Sequence, residues 1–375
     1  MTAQTHHDPT SLNNLAATFP VEANVHPTSD EQREALIDKP AFGQLFSDNM
    51  VRMTWEQDTG WSQRKVMPYG PLQLDPAAAV LHYAQEVFEG LKAYYHSDGS
   101  IWLFRPDANA ERFQNSARRL SLPPLSTDDF LGSVAALVQR DVTWVPRRRE
   151  YTLYLRPFMF ASEPYLGVRA PHQVDYCVIA SPSGPYFTGG VKPVSIWVEN
   201  RWFRTGPGGT GFAKCGGNYA ASLVGEGRGS EHGCEQVCFV DAATGTYLEE
   251  LGGMNMFIVH KDGHLETPSL TGSILPGVTR RSLIELAGDE GHEVVESMIK
   301  MSDLLEDIRS GEVTEVFACG TAAIITPISR LVSDEFDVSL GEGQPGQLTM
   351  HLRERLLGIQ LGEVEDTHDW MWRVC

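Results

Sequence analysis

Apolar and polar positions alternate, or recur at helical spacing, along most of the chain, and breaks in that pattern divide it into two mixed regions. MVRMTWEQDTGW (50–61) and the segment 91–105 read as strands, since aromatic and branched residues recur there in short runs. Within the second, LKAYY and SIWLF flank Ser97-Asp98-Gly99, a turn signal that predicts a hairpin. Pro106 to Leu120 predicts a helix with Phe113, Ala117 and Leu120 on one stripe. Another spans about Asp128 to Val145, opened by Thr127-Asp128 and closed before Pro146. YTLYLRPFMF and VDYCVIA are strands, so the first region reads as a mixed sheet with helices packed on it.

SPSGPYFTGGVKP, residues 181–193, is dense in Pro, Gly and Ser and is the expected linker. Beyond it VSIWVEN, QVCFVDA, MFIVHKDGHLET and EVTEVFACGTAAIIT supply strands, with a tight turn at Asp262-Gly263. Helices are expected at about Tyr219–Gly229, Val278–Ala287 and Ser302–Ser310, the last capped by Ser302 and ended by Gly311. Residues 1–30 are polar with little periodicity and read as a loose arm. The expected organisation is thus an arm (1–30), a first domain (31–180), a linker (181–193) and a second domain (194–375). A chain of 375 residues also exceeds the size at which one core usually keeps growing.

Composition narrows the function classes. A formal net charge of -19, with no Lys/Arg block able to track a phosphate backbone, argues against nucleic acid. Arg147, Arg148 and Arg149 are followed by Glu150 and read as a solvated helix end. No apolar run reaches membrane-span length, and the N-terminus lacks the basic-then-apolar form of a secretory signal, so the cytoplasm is expected. The cysteines, at 177, 215, 234, 238, 319 and 375, form no CxxC pair and read as reduced thiols. His232, Cys234 and Cys238 are close in sequence, but a strand spacing of four holds the two thiols far apart, and no metal is expected.

Lys214 carries the most specific chemistry. It lies in GPGGTGFAKCGGNYAA (206–221), where glycines let the backbone approach a ligand closely, and Tyr219 follows. A lysine amine there is a candidate covalent catalyst toward carbonyl compounds. A phosphate-binding P-loop is excluded, since Phe212 and Ala213 separate the lysine from the last glycine and Cys215 follows it. A flexible loop with an incidental lysine is the plain alternative. SILPGVTRRSLIELA puts a Pro-Gly turn before a helix that starts with Val278 and Thr279, a natural anion cradle or an ordinary helix start. In ACGTAAIIT a strand ends in the small-residue turn Gly320-Thr321-Ala322. LEELGGMN places Glu249 and Glu250 at a strand end, where either carboxylate could meet a cationic ring nitrogen or simply face solvent.

These segments closely resemble the branched-chain amino acid aminotransferases, pyridoxal phosphate enzymes of fold type IV, in the larger, eukaryote-like branch. FGQLFSD, LHYAQEVFEGLKAY, LYLRPF, SPSGPYF, GGTGFAKCGGNYAAS, EELGGMN, LPGVTRRS and CGTAAIITPIS follow in family order from about Phe42 to Leu331. The resemblance implies an α+β fold of two domains: a smaller N-terminal α/β domain, and a larger C-terminal domain with a barrel-like sheet. It implies that Lys214 holds pyridoxal phosphate covalently and shuttles a proton, and that Glu250 rather than Glu249 faces the pyridine nitrogen. Tyr219 would bond the ring's phenolic oxygen, and Arg112, Val278, Thr279 and Thr321 would hold the phosphate. Phe42, Tyr83, Phe88, Tyr154 and Tyr186 would form the apolar wall. Arg156 would meet the γ-carboxylate of glutamate or 2-oxoglutarate, and the turn at Thr321 and Ala322 the α-carboxylate. The implied reaction is ping-pong transamination of leucine, isoleucine and valine with 2-oxoglutarate through the pyridoxamine form.

A homodimer is also implied, with EPYLGVRA (163–170) closing the partner's site. Rivals are a D-amino acid aminotransferase or an aminodeoxychorismate lyase of the same fold, and a non-catalytic metabolite-binding relative. The sequence departs from the family twice: Gly252 and Gly253 occupy a turn where some members have threonine, and Ala323 and Thr326 replace a CxxC redox pair. No redox switch is therefore expected there.

Overall fold

The structure, a computed structural model, describes residues 9–40, 42–186, 190–341 and 343–375. The chain divides into two compact units: Met1–Pro185 with Ala213–Cys215 and Gly358–Cys375, and Tyr186–Phe212 with Gly216–Leu357.

The first unit contains α1 (Pro9–Ala16), α2 (Asp30–Asp38), β1 (Asn49–Glu56), β2 (Gly60–Pro68), α3 (Ala79–Tyr83), β3 (Glu86–Phe88), β4 (Leu91–Tyr95) and β5 (Ile101–Phe104). They are followed by α4 (Pro106–Arg119), α5 (Thr127–Arg140), β6 (Thr152–Ala161) and β7 (Gln173–Ser183). The sheet is antiparallel in the order β5-β4-β6-β7-β1-β2, with β3 also paired to β6 and the C-terminal strand Met371–Arg373 added beyond β5. α5 packs on β1 and β7, and α4 packs on α5 and β3. The resulting core is fully buried at Phe113, Phe130, Val134, Leu153, Leu155 and Tyr176. Ala213 and Cys215 belong to this same core, which fixes Lys214 between two buried neighbours.

The second unit carries β8 (Val194–Glu199), α6 (Gly216–Glu231), β9 (Gln236–Val240), β10 (Leu248–Leu251), β11 (Asn255–His260), β12 (Leu265–Pro268), α7 (Val278–Asp289) and β13 (Val294–Ser297). It continues with α8 (Met301–Ser310), β14 (Val313–Gly320), β15 (Ile324–Val332), β16 (Asp337–Ser339) and most of α9 (Gln347–Gln360). The strand path is β10-β9-β8-β15-β14-β11-β12-β13, with β16 on β15. The sheet curls until its two ends meet. Leu248 N–H donates to Ile299 C=O at 2.8 Å, and Met301 N–H to Thr246 C=O at 3.0 Å, so the residues after β13 are laced to β10.

Several local expectations change. Pro9–Ala16 is a helix on α5, with Leu12, Ala16 and Phe19 buried, so this part of the arm is core rather than loose; residues 1–8 lie outside the described residues. Its amphipathic pattern covers only about two turns, too short to stand out in a polar stretch. Ser126, not Thr127, caps α5, accepting from the Asp129 amide, and the helix ends at Arg140 rather than at Pro146. There Asp141 turns its carboxylate to the Asn49 amide at 3.0 Å. Lys300, not Ser302, precedes α8, because the Met301 amide is already used at the sheet seam. β7 runs through Ser183 into the expected linker, of which residues 187–189 are not described. The C-terminal stretch Gly358–Cys375 returns to the first unit.

Gly132 on α5 shows why α1 docks. A β-carbon there would press on the Leu15 carbonyl and the Phe19 ring. Gly132→Ala should destabilise by about 1–3 kcal/mol through overpacking, although alanine is the better helix former by about 1 kcal/mol. Denaturant midpoints read the sign. A stabilised variant would show that α1 is not held in this contact.

Candidate active site

In the first unit the site begins with three consecutive residues. Cys215 N–H donates to Ala213 C=O at 3.1 Å, a tight turn with Lys214 at its apex. The backbone of Lys214 is tied at both ends, its N–H to Ser116 Oγ at 2.9 Å and its C=O to the Phe88 amide at 3.0 Å. Its ammonium nitrogen lies 4.9 Å from the Phe88 ring centroid. The Arg156 guanidinium also lies over Phe88, at 4.7 Å, and donates to the Tyr154 hydroxyl at 3.1 Å. Its Nε is buried with no hydrogen-bond partner among the described residues. Phe42 meets Tyr154 edge-on at 5.1 Å. Tyr154 in turn lies so close to Gly90 that any β-carbon there would overlap its hydroxyl, which accounts for the glycine after Glu89.

Beneath this group is a buried ion pair. Arg112 Nε and Nη2 donate to the two oxygens of Glu89 at 2.7 and 2.8 Å, and Asn109 adds a bond at 2.8 Å. Such two-point geometry fixes the guanidinium plane as well as its charge. Burial alone would push the Glu89 carboxyl up; the Arg112 cation, helped by Lys214 and Asn109, holds it below the ordinary carboxylate range. Asn109, Arg112 and Ser116 recur at helical spacing on the buried face of α4, one residue from the apolar stripe of Phe113 and Ala117.

In the second unit the middle of β10 carries two adjacent carboxylates that both hold the segment leading into α7. Glu250 accepts from the Leu275 amide at 2.8 Å and from Asn255 at 3.1 Å, and pairs with Arg204 at 2.9 Å. Asn255 also donates to the Leu275 carbonyl at 3.0 Å, and a β-carbon on Gly277 would overlap its side-chain oxygen. The Pro-Gly turn before α7 is therefore glycine so that Asn255 can reach under it. Gly277 stands at the N-cap with no side-chain cap, and Val278 and Thr279 form the first turn, buried, where unpaired amides concentrate. Arg204 further holds the Ser273 carbonyl at 3.1 Å and the Gly211 carbonyl at 3.3 Å. Tyr219 lies on α6 with its ring against Gly253, and Gly320 abuts Met254. In the turn after β14, Ile324 is held at φ 65, a conformation that is strained for a branched residue and concentrates at functional turns.

Residues 86–331 match the model of the amino-transferase class IV family. The chain belongs to the class IV aminotransferases. It is 50% identical over 367 residues to the branched-chain-amino-acid aminotransferase of Mycolicibacterium smegmatis, covering 97% of this chain and 100% of that protein. Among solved structures, the branched-chain amino acid aminotransferase of Escherichia coli superposes with a TM-score of 0.72 at 29% identity, over 86% of this chain and 99% of that one. The branched-chain aminotransferase of the thermophilic archaeon Thermoproteus uzoniensis, solved with norvaline, gives 0.70 at 26%, over 87% and 100%.

Within this class IV chain, Phe42, Phe88, Tyr154, Arg156, Arg112 and Lys214 are positioned by the first unit, and Tyr219, Glu250, Val278, Thr279, Thr321 and Ala322 by the second. Two further expected wall residues have their hydroxyls hydrogen-bonded. The Tyr83 hydroxyl donates to the Leu166 carbonyl, and Tyr186, in the second unit, contacts Gln236 at 3.3 Å. Glu249 binds the Ser273 hydroxyl and faces a separate cavity, which distinguishes it from Glu250. Sequence patterning did not single out Glu89, Ser116, Arg204 or Asn255. The polar stripe on the buried face of α4 was the available signal for Ser116, and the acid directly before the glycine in EVFEGL for Glu89.

Glu89→Gln should destabilise the protein by about 3–5 kcal/mol, since it strands the buried Arg112 cation. Because the Glu89 carboxyl is held low, its contribution is full above the ordinary glutamate range and lost as pH falls through its depressed value. The variant's unfolding midpoint should therefore fall less steeply than the parent's on acidification. Parallel pH profiles for the two proteins would sink this assignment.

Proposed function

We infer that the chain catalyses transamination of branched-chain L-amino acids with 2-oxoglutarate, with pyridoxal 5'-phosphate as cofactor. The observation that carries this from the geometry is the ring of Phe88, with the Lys214 amine and the Arg156 guanidinium both over it. An apolar wall with one half-buried guanidinium, its Nε buried and incompletely satisfied, suits both an aliphatic side chain and a carboxylate. Near-complete coverage of the Mycolicibacterium smegmatis enzyme supports the same reading.

The residues present fit the cofactor. Bound pyridoxal phosphate supplies an electron sink that stabilises negative charge at the α-carbon and carries the amino group between the two half-reactions. Lys214 would hold it covalently, and its released amine would take the proton from the substrate α-carbon. Glu250 would meet the ring nitrogen, its position fixed by Leu275, Asn255 and Arg204. Tyr219 would bond the phenolic oxygen. Arg112, with the helix start at Val278 and Thr279 and the hydroxyl of Thr321, would bind the phosphate. Phe42, Phe88 and Tyr154 would exclude water from the aliphatic chain, Arg156 would bind the γ-carboxylate, and the turn at Thr321 and Ala322 the α-carboxylate.

A homodimer and residence in the cytoplasm belong to the same proposal. For the dimer, support comes from an exposed apolar cluster: Leu81, Tyr83, Tyr165, Leu166 and Val168, the last 85% exposed. Sedimentation of the holoenzyme checks it.

Lys214→Ala should abolish turnover. Arg156→Gln should raise KM for 2-oxoglutarate roughly 10- to 100-fold, the worth of one charge-assisted contact, while changing KM for leucine much less. Half-reactions followed by cofactor absorbance with leucine, valine, isoleucine and D-alanine provide the test. Reaction with D-alanine but not leucine would move the assignment to a D-amino acid enzyme. No colour change on adding pyridoxal phosphate would remove the enzyme assignment altogether.

A further inference from the structure

Glu249 is adjacent to Glu250 on β10 but serves a different space. A cavity of about 140 Å³ opens at the seam of the curled sheet, among β10, the ends of β12 and β13 and the approach to α7. Cavities of roughly 150 Å³ admit a ligand the size of benzene. Leu248, Ile274 and Met298 make much of its wall apolar, and no Lys or Arg is among the described residues that line it. Glu249 is 7% exposed. One of its oxygens accepts from the Ser273 hydroxyl, and the other takes no hydrogen bond from any described residue.

The second carboxylate at the cavity, Asp241, is already satisfied by its own turn. It accepts from the amides of Thr244 at 2.7 Å and of Thr246 and Tyr247 at 2.8 Å each. Arg204 is close enough to favour the Glu249 charge but is itself paired with Glu250 and does not line the cavity. One buried acceptor of negative charge, set in an apolar wall with no cation of its own, selects a small cation with an N–H donor and a short aliphatic body. A free amino acid does not fit, since its own carboxylate would meet two others and no basic side chain. We propose that this cavity is a binding site for a small alkylammonium ion held by Glu249.

Two further observations bear on the site. Burial, with Asp241 nearby, pushes the Glu249 carboxyl up against the opposing pull of Ser273 and Arg204, so a cation in the cavity would favour its charged form. Glu249 and Glu250 also grip the same segment, at Ser273 and Leu275 respectively. A ligand that draws Glu249 away from Ser273 therefore acts on the anchorage of the segment that Glu250 holds. Binding itself does not depend on the aminotransferase assignment.

The probe is trimethylammonium at neutral pH. It keeps one N–H and, as a tertiary amine, cannot condense with a carbonyl, so it does not react with the cofactor. Calorimetric titration of the holoenzyme should show saturable one-to-one binding with a dissociation constant on the order of 1 mM. Tetramethylammonium, without the N–H, should bind at least about 10-fold more weakly. Glu249→Gln should weaken trimethylammonium binding by at least about 10-fold. Met298→Trp, which keeps the carboxylate but fills the cavity from its rim, should do the same with an unchanged unfolding midpoint. Saturation of Glu249→Gln or Met298→Trp at the parent's affinity would overturn the proposal. So would the absence of saturable binding to the parent at about 50-fold the expected constant.

Discussion

The anchoring of residues 213–215 is the constraint on which the site depends. A lysine side chain has several rotatable bonds and cannot be aimed from a mobile backbone. Here the turn is closed on itself, its N–H and C=O are taken by Ser116 and Phe88, and Ala213 and Cys215 are buried on either side. The main chain of Lys214 is thereby part of the first unit's core although the chain on either side of residues 213–215 belongs to the second. The glycines around it allow the chain to enter and leave this core. Gly211 is one case: a β-carbon there would collide with the Ser273 backbone.

Each unit holds a candidate site residue through a buried charge that is neutralised on the spot. Glu89 fixes Arg112 in the first, and Arg204 fixes Glu250 in the second. Buried ions are expensive unless paired and hydrogen-bonded, and both pairs have further partners, Asn109 in one and Leu275 and Asn255 in the other. Such pairs add little net stability. Their value lies in orientation, since a group with two or three directional partners has one position open to it. The strained φ of Ile324 likewise favours position over stability.

Patterning identified most elements because period and turn chemistry are local. The hairpin at Ser97–Gly99 pairs as expected, α4 runs Pro106–Arg119, and the turn at Asp262-Gly263 joins β11 to β12. Elements whose stability comes from elsewhere were harder to see. α1 is held by α5, and the three-residue C-terminal strand exists only because β5 offers it an edge. Helix starts shifted at Ser126 and Lys300 for the same reason: which residue caps a helix depends on which backbone groups the fold has already used.

The sequence by itself determined the family, because that rests on residue types in a fixed order, and the same strings put forward Lys214 and a set of charged groups as candidates for the site. Residue type alone left Glu249 and Glu250 equivalent, since adjacent carboxylates in one strand differ only in what faces them, and only the family resemblance favoured Glu250. Tertiary structure separated the two, sending one to Leu275, Asn255 and Arg204 and the other to Ser273 and an apolar cavity. It also revealed Glu89 and Ser116, whose partners Arg112 and Lys214 lie 23 and 98 residues away. Hydrogen bonds over such separations are set by the packing of α4 and the sheet, and no local period records them.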